Sequence, residues 1–157
     1  MFEVREDDLT GEATRELLAL HLRGMHANSP PGSVFALDLS GLQQPNVTVW
    51  TVWSGGEVAS VGAIKMLDNG DAEVKSMRVN PAFARKGAGA TILETIIRTA
   101  KSKGAKRLSL ETGSGSAFDA ALALYQKRGF KQSEAFSGYE QSKFNQFLHL
   151  DLLTDGN

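Results

Sequence analysis

Residues 77 to 90 read Met77-Arg78-Val79-Asn80-Pro81-Ala82-Phe83-Ala84-Arg85-Lys86-Gly87-Ala88-Gly89-Ala90. A strand-like segment ends here, Pro81 breaks its pairing, and a small-residue loop with two adjacent cations opens a helix. The first N–H groups of a helix have no partner within it, and the helix dipole favours an anion beside them. Gly87 and Gly89 let a bulky phosphate approach the main chain, and Arg85 and Lys86 add positive charge. A pyrophosphate site fits this pattern. A plain tight strand-to-helix turn fits it as well, and the glycine spacing alone leaves both open. Two other phosphate loops fit worse. A dinucleotide fingerprint starting at Gly87 needs a glycine or alanine where Ile92 stands, and the Gly-Lys-Ser/Thr ending of a P-loop is absent from the chain.

Downstream of this stretch, Ile92, Leu93, Ile96, Ile97 and Ala100 share one face of a helix from about Gly87 to Lys103, with Gly104 as its C-cap. Arg107 to Glu111 reads as a buried strand. Ser116-Ala117-Phe118-Asp119 has the pattern of a capping box opening a helix that carries Ala121, Leu122 and Tyr125 and ends at Gly129. Phe130 to Glu134 and Gln146 to Leu152 read as closing strands. Upstream, Val47 to Trp53, Glu57 to Met66 and Ala72 to Val79 form an antiparallel meander, with Asn69-Gly70 as a hairpin turn. Phe2 to Arg5 reads as an edge strand, and Leu17, Leu18, His21, Leu22 and Met25 mark a helix over Gly11 to His26. Ser29-Pro30-Pro31-Gly32 stops that helix, and Ser33 caps a short one reaching Leu39. Strand–helix–strand–helix–strand after a meander predicts a mixed α/β sheet.

With 157 residues, one domain over residues 1–157 is expected. Seventeen basic and 18 acidic residues give a net charge of −1, which argues against a general nucleic-acid binder. That balance hides an asymmetry. Lys75 to Arg107 holds nine basic residues against one acid, Glu94, so the block containing the glycine loop suits an anion and the acidic remainder suits a cation. Cysteine is absent, which excludes disulfides, thiolate-ligated metals and a thiolate nucleophile. No run approaches the ~18 apolar residues of a membrane span, and the acidic amino-terminal residues do not resemble a secretory signal. A cytoplasmic protein without membrane or nucleic-acid partners, and without a metal site, is the expectation.

The chain resembles the GNAT superfamily of acyl-CoA-dependent N-acetyltransferases. The family's Arg/Gln-x-x-Gly-x-Gly/Ala loop is similar to Gly87-Ala88-Gly89-Ala90, preceded by Val79-x-Pro81. Its Ala-x-x-Leu-Tyr-x-x-x-Gly-Phe ending resembles Ala123-Leu124-Tyr125-Gln126-Lys127-Arg128-Gly129-Phe130. The two motifs together span roughly Glu73 to Phe130. Ala84 stands at the loop's Arg/Gln position with Arg85 one residue later, and Phe118 stands where many members have Asn. The resemblance implies an α+β GNAT fold: a mostly antiparallel sheet of six to seven strands flanked by about four helices. It implies acetyl-CoA as acyl donor, held by Met77, Arg78, Val79, Arg85, Lys86, Gly87, Ala88, Gly89, Ala90 and Phe118. It also implies a primary amine as acceptor; with no cysteine, direct attack in a ternary complex is expected over an acyl-enzyme, and a homodimer is left open.

Transfer to an amine needs a base for the nitrogen's proton and an acid for the departing thiolate. The resemblance makes Tyr125 the acid and Glu73 a candidate base. Glu111, at the end of its strand, is the other acidic candidate, as base or amine anchor. The bland readings are a core aromatic for Tyr125 and a solvated or paired strand residue for Glu73. His26 and Ser29 lie in the segment where such proteins build the acceptor site. His21 and His149 read as packing residues, and Trp50 and Trp53 fall on opposite strand faces, one in the core and the other lining a pocket. A small-molecule amine is the expected acceptor, with a protein amine as the alternative. A non-catalytic acyl-CoA-binding regulatory domain and a nucleotide-binding domain are the readings from other classes.

Overall fold

The computed structural model describes residues 2–30 and 38–152. Its strands are β1 (Glu3–Glu6), β2 (Val47–Ser54), β3 (Glu57–Met66), β4 (Ala72–Val79), β5 (Arg107–Thr112), β6 (Lys131–Gln132) and β7 (Gln146–Asp151). They form one sheet in the order β1-β2-β3-β4-β5-β7-β6, antiparallel except where β4 meets β5. The described helices are α1 (Glu12–Asn28), α2 (Leu39–Leu42), α3 (Ala88–Ser102) and α4 (Asp119–Arg128).

Each sheet face buries its own apolar cluster, as a sheet alternating in side-chain direction must. On one face Ile92, Leu93, Ile96 and Ile97 of α3 and Tyr125 of α4 pack on Val52, Ile64, Val74, Leu108 and Leu148. On the other, Leu17 and Leu18 of α1 and Leu42 of α2 pack on Val49, Val58, Val61 and Ala63. Trp50 belongs to the first cluster and Trp53 to the second, so the opposite faces are as expected. Trp53 is not on the wall of the cavity described below; Arg5 lies over its ring at 4.8 Å.

Two departures from strict pairing make the site. First, β4 and β5 pair only at Ala72–Leu108 and Glu73–Ser109, then diverge. The edge of β4 beyond Glu73 thus has no strand beside it, and a cleft opens between the two strands. Second, the β3–β4 register shifts between Val61 and Ala63, so that Ser76 and Met77 oppose Gly62 alone. Ser76 takes a positive φ of 55° to make this bulge. The extra residue inverts the alternation. Met77 and Val79 join Val74 against the α3 face, while Arg78 turns toward α1.

Three expectations change. The capping box does not form. Ser116–Phe118 is a 3-10 turn, and the residue capping α4 is Phe118, with no side-chain bond. Burying the Phe118 ring edge-on against Phe144, at 5.5 Å, outweighs a hydroxyl cap worth about 1 kcal/mol. The strand expected from Phe130 to Glu134 shrinks to two residues, because the chain then turns to bury Phe136. The short helix begins at Leu39, where Asp38 caps it by accepting from Gly41 N–H at 2.9 Å; Ser33 lies outside the described residues.

Candidate active site

The cleft widens into a cavity of about 660 Å³, walled by α1, β4, β5, the start of α3 and α4. At its α3 end, Gly87 caps the helix at φ 89°, a left-handed conformation that costs other residues about 1 kcal/mol or more. No side chain caps this helix, so its first-turn amides are left for an incoming acceptor. Gly89 sits close to its neighbours: a Cβ there would lie 3.2 Å from side-chain carbons of both Leu124 and Val79, which would have to give way. Arg85, Gly87, Ala88, Gly89 and Ala90 line the cavity, whereas Lys86 stands outside it with its Nζ 5.7 Å from the Phe83 ring centroid. Met77, Arg78, Val79 and Phe118 are also on the wall.

Tyr125 reaches the same cavity from α4, its ring packed against Phe130 at 5.7 Å and only 5% exposed. Burial raises the phenol above its ordinary range, so its O–H is intact at neutral pH and available as a donor. Tyr125 is thus a core aromatic that also lies on the cavity wall.

Across the cleft, β5 presents Glu111. Its carboxyl is pushed up to about 7, chiefly by burial; Lys75 and a hydrogen bond with Asn145 oppose the shift, and the neighbouring charge of Glu73 adds to it. Glu73 stands behind the wall, 2% exposed. Its Oε2 accepts from Tyr139 O–H at 2.6 Å and lies 3.1 Å from Lys75 Nζ, which also donates to Tyr139 at 2.6 Å. A buried carboxylate with these partners is compensated where it lies. Burial first, then the charge of Glu73, raises the Tyr139 phenol.

On the α1 side, Arg78 Nε donates to His21 Nδ1 at 3.1 Å and Nη2 to the His21 carbonyl at 3.4 Å. Burial first, then the charge of Arg78, lowers the His21 imidazole to about 4. His21 is therefore a buried packing residue with a polar partner. His26 is exposed, Ser29 is partly buried, and both lie off the cavity wall. His149 is structural: Ser109 Oγ lies 2.7 Å from its Nδ1, and Nε2 lies 2.7 Å from the Glu134 carbonyl. That Ser–His–Glu grouping carries no nucleophile, because Ser109 is 1% exposed and lies outside the cavity.

Among the residues that sequence reasoning proposed, the cleft gathers the helix-start loop, Tyr125 and Glu111. It missed Lys75, Tyr139 and the Arg78–His21 pair. Lys75 had a signal, since it lies two residues from Glu73 on one strand face. Tyr139 had none, as it meets Glu73 across 66 residues.

Residues 13–130 match the acetyltransferase (GNAT) family. The chain is 43% identical over 152 residues to YedL of Escherichia coli (strain K12), an uncharacterized N-acetyltransferase, covering 97% of this chain and 96% of that one. It is 41% identical over 145 residues to YsnE of Bacillus subtilis (strain 168), also an uncharacterized N-acetyltransferase, covering 92% and 96%. In fold it is similar to a Bacillus subtilis acetyltransferase solved in complex with CoA, with a TM-score of 0.72 and 23% identity over 97% of this chain and 99% of that one.

Proposed function

The chain belongs to the GNAT acetyltransferase family, and on that premise we propose that it moves the acetyl group of acetyl-CoA to the primary amine of a small molecule. The observation that carries this reading is the convergence of uncapped helix-start amides, Tyr125 and Glu111 on one cavity. The volume of about 660 Å³ is in the range of small-ligand sites. That the Bacillus neighbour was solved with CoA supports the donor.

The residues divide the work. The amides of residues 88–90 and Arg85 bind the donor's phosphates, which suits the loop's departure at Ala84. The unpaired edge of β4 at Met77–Val79 offers backbone groups to the donor's amide-bearing arm and one N–H to the thioester oxygen. Glu111 takes the proton that the nitrogen gives up, a task for which a carboxyl near 7 is matched to neutral pH. Glu73 keeps Lys75 and Tyr139 in place behind it and raises the Glu111 carboxyl by its charge. Tyr125 gives its proton to the sulfur; a thiolate formed in the same apolar surroundings has its own proton affinity raised. One N–C bond forms and one C–S bond breaks. The chain has no cysteine to carry an acyl group, which favours direct attack by the amine.

Thiol release from acetyl-CoA with a panel of amines tests this. Tyr125→Phe is expected to lower kcat by about 10²-fold or more while CoA still raises the melting temperature as in wild type. Undiminished turnover in Tyr125→Phe overturns its role as acid.

A further inference from the structure

We infer that the acceptor is an amino acid or a similar amine bearing a carboxylate, and that Arg78 holds that carboxylate; this rests on the acetyltransferase reading of the same cavity. The guanidinium of Arg78 is half-buried on the cavity wall. Its hydrogen bonds go to His21 Nδ1 and the His21 carbonyl. The imidazole is uncharged at neutral pH, its pKa being lowered to about 4. No carboxylate of the described residues pairs with Arg78, and burial alone perturbs its ionisation. A partly desolvated cation with neutral partners is costly unless a ligand supplies the counter-charge.

The wall around it is built to leave this cation in place. Gly24 of α1 faces it so closely that a Cβ there would lie 2.8 Å from Nη2. A larger residue would displace the guanidinium. Ser76, at the bulge on the same stretch of wall, has a buried Oγ with no partner among the described residues. A planar anion can take a bidentate bond from the guanidinium. The other cations do not compete for the part. Lys75 is engaged with Glu73 and Tyr139, and Arg85 belongs to the loop that opens α3. Glu111 is the acidic side chain on the wall, and it approaches from β5. The cleft thus offers a cation for a carboxylate and a carboxylate for an ammonium, the complement of a zwitterion.

The test uses wild type, R78Q and R78K with acetyl-CoA and matched acceptors: neutral amino acids, their primary amides and the decarboxylated amines. Wild type is expected to favour the best amino acid over its amide roughly ten- to a hundredfold in kcat/KM, expressed mostly in KM. In R78Q that ratio falls to near one and R78K keeps part of it; because the donor meets Met77–Val79 through the backbone and not through the Arg78 side chain, the CoA-induced rise in melting temperature is retained in both. Should R78Q fail to fold, the wild-type ratio and R78K decide. Equal or better turnover of amides or decarboxylated amines by wild type overturns the carboxylate assignment and leaves the acetyltransferase reading standing. No turnover of any acceptor, with CoA bound and no amino acid raising the melting temperature further, overturns both.

Discussion

Replacing Glu111 by Gln separates activity from stability in a way that only a buried, ionising base produces. The carboxyl is held at about 7 rather than 4.5, chiefly by burial. Between those values the folded protein keeps a proton that the unfolded chain has released, so stability falls as pH rises through this window. Fully felt, the shift is worth on the order of 3 kcal/mol above pH 8; allowing for the solvent screening of a partly exposed group leaves about 1–2 kcal/mol. Gln removes that cost and keeps the shape. E111Q is therefore expected to melt about 3–6 °C above wild type at pH 8.5, with the advantage gone below pH 4.5. Its kcat/KM falls by about 10²–10⁴-fold at the same pH. In wild type kcat/KM drops about tenfold per pH unit below 7, and in E111Q this inflection is missing. Paired thermal melts and pH–rate profiles give both readouts. A variant that melts lower than wild type at pH 8.5, or one that keeps kcat/KM within about threefold and retains the inflection, refutes Glu111 as the base.

Two further outcomes follow from the same geometry. Gly87→Ala places a side chain at φ 89° and is expected to cost about 1 kcal/mol in stability and to shrink the CoA-induced rise in melting temperature, both readable by differential scanning fluorimetry. His21 is held neutral, its pKa lowered to about 4, so the stability it confers is complete above pH 6.5 and lost as pH falls toward 4; H21Q is expected to show a shallower fall in melting temperature over that interval.

Much of the scaffold was legible in the residues. β3 and β4 run from Glu57 to Met66 and Ala72 to Val79, as the strand-like runs on either side of Asn69-Gly70 implied. Gly70 takes the positive φ of 89° that such a turn uses. The loop opening α3 was equally plain, because its chemistry is local. What escaped depends on contacts distant in sequence or on one-residue shifts. Strict alternation along β4 puts Arg78 on the face of Val74; the bulge at Ser76 sends it to α1 instead, and nothing in Ser76 announces a positive φ. The segment after Gln132 reads as a continuing strand, yet burying Phe136 and bringing Tyr139 to Glu73 decide its path. The same long-range packing makes Glu73 a held carboxylate and leaves Glu111 at the cleft, a distinction that two glutamates on neighbouring strands do not reveal.

The central claim is direct transfer from acetyl-CoA to an amine in a ternary complex, and initial-velocity measurement with both substrates varied tests it most directly. Thiol release that requires the amine, equals the gain of one acetyl group per acceptor, and gives intersecting double-reciprocal lines is the predicted result. Parallel lines would contradict direct attack, and tight CoA binding without turnover of any amine would make the chain an acyl-CoA-binding domain.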